Sequence, residues 1–135
     1  MAVDYGDART GVAVSDVSAT LAGEAWVINE NRMKAVAESI IKEAAFRGVS
    51  TIVIGYPKNM NGTVGPRAEK SEQLAAMLRP LCAPGGIDVV LWDERLTTMS
   101  AHRILSDAGK RGKNRRKTID AVAASLILEG YLSSL

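Results

Sequence analysis

The chain of 135 residues has one cysteine, one histidine and six aromatic residues: two Trp, three Tyr and one Phe. A lone Cys82 can form no internal disulfide. With no CxxC or Cys/His cluster, a zinc site is excluded as well. The thiol is expected to be semi-buried in a reducing compartment. Cys82 has no histidine beside it in sequence, and His102 lies in a stretch that reads as helix, so neither nucleophilic cysteine chemistry nor a histidine triad is indicated. So few aromatics leave no platform on which bases could stack, and RNA cannot be told from DNA on this ground. No apolar run approaches the roughly 18 residues of a membrane span, and no leader-like segment precedes the first strand. A cytoplasmic protein without a membrane partner is expected.

What remains is ordinary for a globular chain: 47% hydrophobic and 24% charged residues, enough for one domain over residues 1–135. Its charge is unevenly spread. Six of the 17 basic residues fall in the run Lys110, Arg111, Gly112, Lys113, Asn114, Arg115, Arg116, Lys117, which contains no acid. The rest of the chain has more acids than bases, so a total of +2 conceals an acidic body with one basic segment. That segment has no apolar residue to bury, and is expected to be a mobile loop that meets a polyanion.

Three short strands open the chain: Met1 to Tyr5, Thr10 to Ser15 and about Ala22 to Ile28. Their short connections predict an antiparallel meander. Gly6 could supply a positive φ to the first turn, and Gly11 suggests a bulge or close backbone approach. Met33, Val36, Ala37, Ile40, Ile41 and Ala44 then recur at helical spacing, with Asn29 or Asn31 as N-cap and Gly48 as stop. Thr51 to Gly55 reads as a strand covered on both faces. Pro66 suits a first helical position, and Leu74, Ala75, Leu78 and Leu81 mark a buried stripe. Asp88 to Trp92 reads as another buried strand. A short helix from Thr97 or Thr98 to Gly109 follows, and after the basic segment a last helix buries Ile119, Val122, Ala123, Leu126, Ile127 and Tyr131. The order β-β-β-α-β-α-β-α-α predicts a mixed α/β sheet with helices packed on it.

Three acidic sites punctuate this frame. Asp4 ends the first strand, Asp93-Glu94 leaves the Asp88 strand, and Asp120 stands at the head of the last helix. Each has an ordinary structural explanation taken singly: an Asx turn for Asp4 and helix-dipole pairing for the others. Asp7 and Asp16 read as turn and strand-end residues, with Asp16 able to support a metal ligand. Asp4, Glu94 and Asp120 together form an oxygen-only donor set suited to Mg²⁺ or Mn²⁺ and ill suited to zinc. Two such ions about 4 Å apart can activate water and stabilise a leaving oxygen in phosphodiester hydrolysis. On that reading Asp4 bridges the ions, while Glu94 and Asp120 each complete a coordination shell. Strands lie about 4.8 Å apart. If the Thr51 strand separates Asp4 from the Asp88 strand, Glu94 must therefore lean inward to share a site.

Several segments resemble the YqgF family, which comprises Holliday-junction-resolvase-like proteins and pre-16S ribosomal RNA nucleases with an RNase H-like fold. They are Asp4-Tyr5-Gly6 with Gly11-Val12-Ala13-Val14-Ser15-Asp16, and Ile54-Gly55-Tyr56-Pro57 with Asn59-Met60-Asn61-Gly62 and Gly65-Pro66-Arg67-Ala68. Asp93-Glu94-Arg95-Leu96-Thr97-Thr98 and Asp120-Ala121-Val122-Ala123-Ala124 complete the match, which covers nearly the whole chain. The first strand is shorter before Asp4 than the family usually has, and Tyr56 replaces a more common leucine. The resemblance implies a five-stranded sheet in the order 3-2-1-4-5 with strand 2 antiparallel. It carries Asp4, Glu94 and Asp120 over as metal-binding catalytic residues, and favours 5′-end processing of pre-16S rRNA. Junction cleavage in branched DNA, which would favour a dimer, and a catalytically inactive nucleic-acid-binding module are the alternatives. A monomer or weak homodimer is expected. The first-strand motif also resembles the phosphate-binding hairpin of actin-like kinases and chaperone ATPases, but those need two lobes.

Overall fold

The computed structural model describes residues 1–15, 22–96 and 114–135. The expected helix after Thr97 or Thr98, His102, Asp16 and the basic residues Lys110, Arg111 and Lys113 lie outside them. Five strands form one sheet: β1 (Ala2–Asp4), β2 (Arg9–Ser15), β3 (Ala22–Asn29), β4 (Thr51–Tyr56) and β5 (Asp88–Asp93). Their order is β3-β2-β1-β4-β5. β2 pairs antiparallel with β1 and with β3, whereas β4 runs parallel to both β1 and β5. This is the expected order and direction.

Alternation along the strands sorts residues by size. Val3, Val12, Ile52 and Ile54 point to one face and pack with helix α1 (Met33–Arg47) and helix α2 (Pro66–Cys82). Ala2, Ala13 and Val53 point to the other, where helix α3 (Asn114–Ser133) lays Ala124, Ile127 and Leu128 against them. The small residues on this second face let α3 approach the strands closely. β4 is buried on both faces, as its unbroken apolar run predicts. Asp88–Asp93 is instead an edge strand, and none of its residues is fully buried.

Several local expectations need correction. Arg32, not Asn29 or Asn31, is the α1 N-cap, and it makes no side-chain capping bond. The Glu30 carboxylate accepts hydrogen bonds from the backbone N–H groups of Asn31 and Arg32 at 3.1 Å each. Leu81 is 46% exposed, and the α2 stripe ends on Cys82, which is fully rather than half buried. In α3 the buried positions are Ala124, Ile127 and Leu128; Ile119, Val122, Ala123, Leu126 and Tyr131 are only partly covered. Asn114 to Lys117 are helical, not the end of a loop. Lysine and arginine are good helix formers, and extending a helix costs little once it is nucleated. Asp120 lies at i−4 to Ala124 and i−7 to Ile127, on the stripe that faces the sheet.

Candidate active site

Two glycines flank Asp4 and decide what can approach it. Its antiparallel partner across β1–β2 is Gly11. On the other side, Val3 pairs with Ile54, and the next step of that parallel register sets Gly55 beside Asp4. A Cβ on Gly11 would stand 2.0 Å from the carbonyl oxygen of Asp120. The absent side chain is therefore what lets the α3 backbone come down at Asp120, the close approach expected at Gly11. A Cβ on Gly55 would meet the Glu94 carboxylate at 2.7 Å and the Ile127 Cδ1 at 2.6 Å. Glu94, in the 3₁₀ turn Glu94–Leu96 after β5, thus lays its carboxylate over the strand lying between its own and β1. That is the inward lean a shared site requires.

Gly6 works differently from expectation. Among the described glycines only Gly48, Gly62 and Gly86 have positive φ. A Cβ on Gly6 would stand 2.2 Å from the Arg9 carbonyl oxygen, so this position needs space in a tight turn. Thr10 Oγ1 accepts a hydrogen bond from the Gly6 N–H at 3.4 Å in the same turn.

Asp4 feels the charge of both other carboxylates. The Asp4 carboxyl is pushed up to about 7, first by burial and then by the charge of Glu94. Asp120 adds to the rise, and Arg67 opposes it. Burial raises Glu94, against Arg67. Burial also raises Asp120, against Arg9 and Arg67. Asp93 behaves oppositely: hydrogen bonds from the Arg95 side chain hold it below the usual carboxylate range. Its two oxygens face that guanidinium at 2.7–3.1 Å, which leaves Glu94 as the acid that reaches inward.

Arg9 and Arg67 lie beside these acids; Arg9 does not stand out in the sequence, and Arg67 appears there only within the Gly65-Pro66-Arg67-Ala68 segment, with no role attached. Arg9 lies two residues before Gly11, and strand alternation sets it on the Asp4 face; its Nε is 3.4 Å from Asp120 Oδ2. Arg67 follows Pro66 in the first turn of α2 and borders a cleft of about 80 Å³ with Tyr5, Gly6, Asp7 and Lys70. Asp7, expected as a turn residue, forms an ion pair with Lys70 there. Tyr56 donates its hydroxyl to Glu72 beside the same sheet edge.

A divalent cation fits the donor type: three carboxylates, one of them desolvated and repelled by its neighbours. Among the described residues, no three His, Cys, Asp or Glu side chains are gathered to hold a metal as they stand. Asp120 meets Arg9 through Oδ2. For Arg115, Arg116 and Lys117 the backbone is helical, which brings the end of the basic segment within two turns of Asp120.

A family model described as "RuvX: Holliday junction resolvase" matches residues 1–134. A protein of Geobacillus thermodenitrificans named "Putative pre-16S rRNA nuclease" is 48% identical over 136 residues, 99% of this chain and 96% of its own. A protein of the same name from Ruminiclostridium cellulolyticum is 38% identical, covering 100% and 94%. The solved structure "T. thermophilus RuvC in complex with Holliday junction substrate" superposes with a TM-score of 0.62 at 13% identity, over 98% of this chain and 92% of that one. That likeness establishes an RNase H-like fold. With a full-length family match and such relatives, the chain belongs to the RuvX (YqgF) family of nucleases.

Proposed function

We propose that this chain is a divalent-metal-dependent nuclease that hydrolyses phosphodiester bonds in pre-16S ribosomal RNA, in processing of its 5′ end in the cytoplasm. The observation that carries the catalytic reading is the pair of glycines beside Asp4, which admit Asp120 from one side and Glu94 from the other. The RNA substrate rests on the names of the relatives. Branched DNA is the second reading, favoured by the description of the family model. No helix among the described residues is long and apolar enough to cross a membrane.

Asp4, Glu94 and Asp120 would hold the metal, Mg²⁺ or Mn²⁺, which when bound supplies a polarised water and positive charge against the phosphodiester. Asp4 lies deepest, at the end of a central strand, so its position is fixed by β2 and β4. Glu94 and Asp120 sit on a turn and a helix, where side-chain rotation can adjust to a ligand. Arg9 pairs with Asp120 and offsets its charge. Lys110, Arg111, Lys113, Arg115, Arg116 and Lys117 would supply phosphate-backbone contacts, in a protein acting as a monomer or weak homodimer.

Cleavage of a pre-16S rRNA 5′ fragment and of a four-way DNA junction, side by side in Mg²⁺ and in Mn²⁺, tests the proposal. Faster metal-dependent cleavage of the RNA is expected. Preferential junction cutting would select the second reading, and inertness on both would leave a binding module.

A further inference from the structure

Among the described residues five large apolar side chains are exposed: Phe46, Met60, Val64, Leu81 and Leu135. Three of them lie away from the acids. Phe46 and Leu81 are in the last turns of α1 and α2, which lead into the starts of β4 and β5. Leu135 lines a cavity with Met1 and Thr51, at the same strand starts. β1, β4 and β5 run in one direction, so their starts share one edge of the sheet, and Asp4, Tyr56 and Asp93 share the other. Of the five, Met60 and Val64 alone, on the loop between β4 and α2, stand at the carboxylate edge. Met60 is the most exposed, at 88%.

A single exposed apolar residue is ordinary on any surface, but this one is mounted. The Gly62 N–H donates to the Asn59 carbonyl at 2.8 Å, closing a turn with Met60 at its first corner, and the Asn59 N–H donates to the Thr63 carbonyl at 2.9 Å. Asn61 Oδ1 accepts both the backbone N–H and the hydroxyl of Thr63, at 3.1 and 2.6 Å, and Asn59 Nδ2 donates to Thr63 Oγ1 at 2.9 Å. The polar side chains of the tip thus bond one another, and the thioether projects between them. A Cβ on Gly62 would stand 3.5 Å from Arg95 Nη1, in a guanidinium that Asp93 holds. The loop therefore rests on the residue next to Glu94, and the two residues from Gly62 back to Met60 span at most about 7 Å.

A strand whose phosphate reaches the acids carries a base on either side of it, and such bases need something to pack against. Tyr56, the aromatic nearest in sequence, is engaged: its hydroxyl bonds Glu72, and the Lys58 ammonium lies 5.4 Å over its ring. Methionine is among the apolar side chains that wedge between base steps, and packing on a base face tolerates any sequence. A stable protein partner would need about 800 Å² on each side, whereas Met60 and Val64 are two residues set among Asn59, Asn61 and Thr63. We propose that Met60 is a substrate-contacting residue, which packs its thioether against an unpaired base beside the phosphate at the carboxylates. This rests on the nuclease reading given above, and adds a contact to the base where the basic segment offers contacts to phosphate.

The test compares the parent with Met60→Gln and Met60→Leu, all as full chains. The probes are a short single-stranded oligoadenylate with one internal 2-aminopurine, and a strand of the same length without bases. Both are titrated against salt in EDTA, so that no cleavage contributes. The parent should raise the 2-aminopurine emission, because an inserted side chain unstacks the base. Met60→Gln is expected to lose most of that rise and to bind the oligoadenylate several-fold more weakly, with the salt slope unchanged because no charge is removed. Met60→Leu, still apolar, should retain both. On the strand without bases the parent and Met60→Gln should bind alike. Parental affinity and emission in Met60→Gln would overturn the inference and leave Met60 free for another partner. An equal loss on the strand without bases would overturn it too, since the base would then not be the group touched. Cleavage in Mn²⁺ separates the two claims: a parent that binds as expected and cuts nothing sinks the nuclease reading but keeps the base contact, and one that binds neither strand ends both.

Discussion

The Glu94 carboxylate lies over Gly55, a residue of the neighbouring strand, within 2.7 Å of where a Cβ would project. The acid reaches toward Asp4 because β4 offers no side chain at that point. On the opposite flank, Gly11 does the same for the backbone at Asp120. Sheet register and two missing side chains therefore bring together acids that lie far apart in sequence.

Filling either gap should separate the acids, with different costs. In Gly55→Ala the new methyl meets side-chain atoms that can rotate, so stability should fall by about 1–2 kcal/mol while cleavage is largely abolished. In Gly11→Ala the obstacle is the Asp120 carbonyl on the helix backbone, which cannot rotate away. A destabilisation of about 2–4 kcal/mol is expected, with α3 loosened. Urea unfolding of both variants checks the order; a neutral Gly11→Ala would refute the close approach.

Asp4 predicts the pH dependence of the metal-free protein. Its carboxyl is pushed from 3.8 to about 7 by burial and by Glu94. The fold thus favours the protonated form. This group's stabilisation is present below the unfolded value and is lost as pH rises through about 7. Full linkage would be on the order of 4 kcal/mol, and solvent at the mouth of the site reduces it. Asp4→Asn should therefore stabilise the metal-free protein by about 1–2 kcal/mol at alkaline pH and by about 0 below the unfolded carboxyl value. Denaturant melts of both proteins across that range make the comparison, and parallel pH curves would show that Asp4 ionises normally.

On the proposed reading, Arg9 would compete with metal for Asp120. The pair is partly exposed, at 34% and 26% for the two side chains, so its own contribution is about 0–1 kcal/mol. Arg9→Ala should leave the melting temperature nearly unchanged and tighten Mn²⁺ binding several-fold by calorimetry. Weaker metal binding in that variant would mean that Arg9 orients Asp120 for the ion and does not compete with it.

On the proposed reading, the basic segment serves affinity and not chemistry. Replacing Lys110, Arg111, Lys113, Arg115, Arg116 and Lys117 by glutamine should weaken nucleic-acid binding and flatten its salt dependence by roughly 0.7–0.9 for each phosphate no longer neutralised. A salt slope equal to the parent's would remove the segment from the binding surface.

The strands, the two-faced sheet and the carboxylate trio are legible in the sequence, because alternation, apolar runs and turn residues carry them locally, whereas the strand order comes only from the family resemblance. Gly11 is recognisable as a close-approach position, although nothing local names Asp120 as its neighbour. The Gly55 gap is not legible, since it depends on which strand lies beside β1 and on how far Glu94 extends past its own. Arg67 is quoted only as part of the Gly65-Pro66-Arg67-Ala68 segment and gets no role, because an exposed arginine after a helix-starting proline is ordinary until α2 is set at the same sheet edge as Asp4. The α3 stripe differs from expectation because periodicity gives a helix's spacing but not its rotation. Asp120, Ala124 and Ile127 share the inner face, and Val122 and Leu126 flank it. Charge alone makes Asn114 to Lys117 read as loop, where helix propensity prevails.

The most direct measurement of the central claim is cleavage of a pre-16S rRNA 5′ fragment by Asp4→Asn beside the parent, in Mg²⁺ and in EDTA. The substitution keeps the side-chain shape and removes one charge from the deepest of the three acids. The account predicts a folded variant without cleavage, and a parent silenced by EDTA. A variant that cuts as fast as the parent, or a parent indifferent to EDTA, would contradict it.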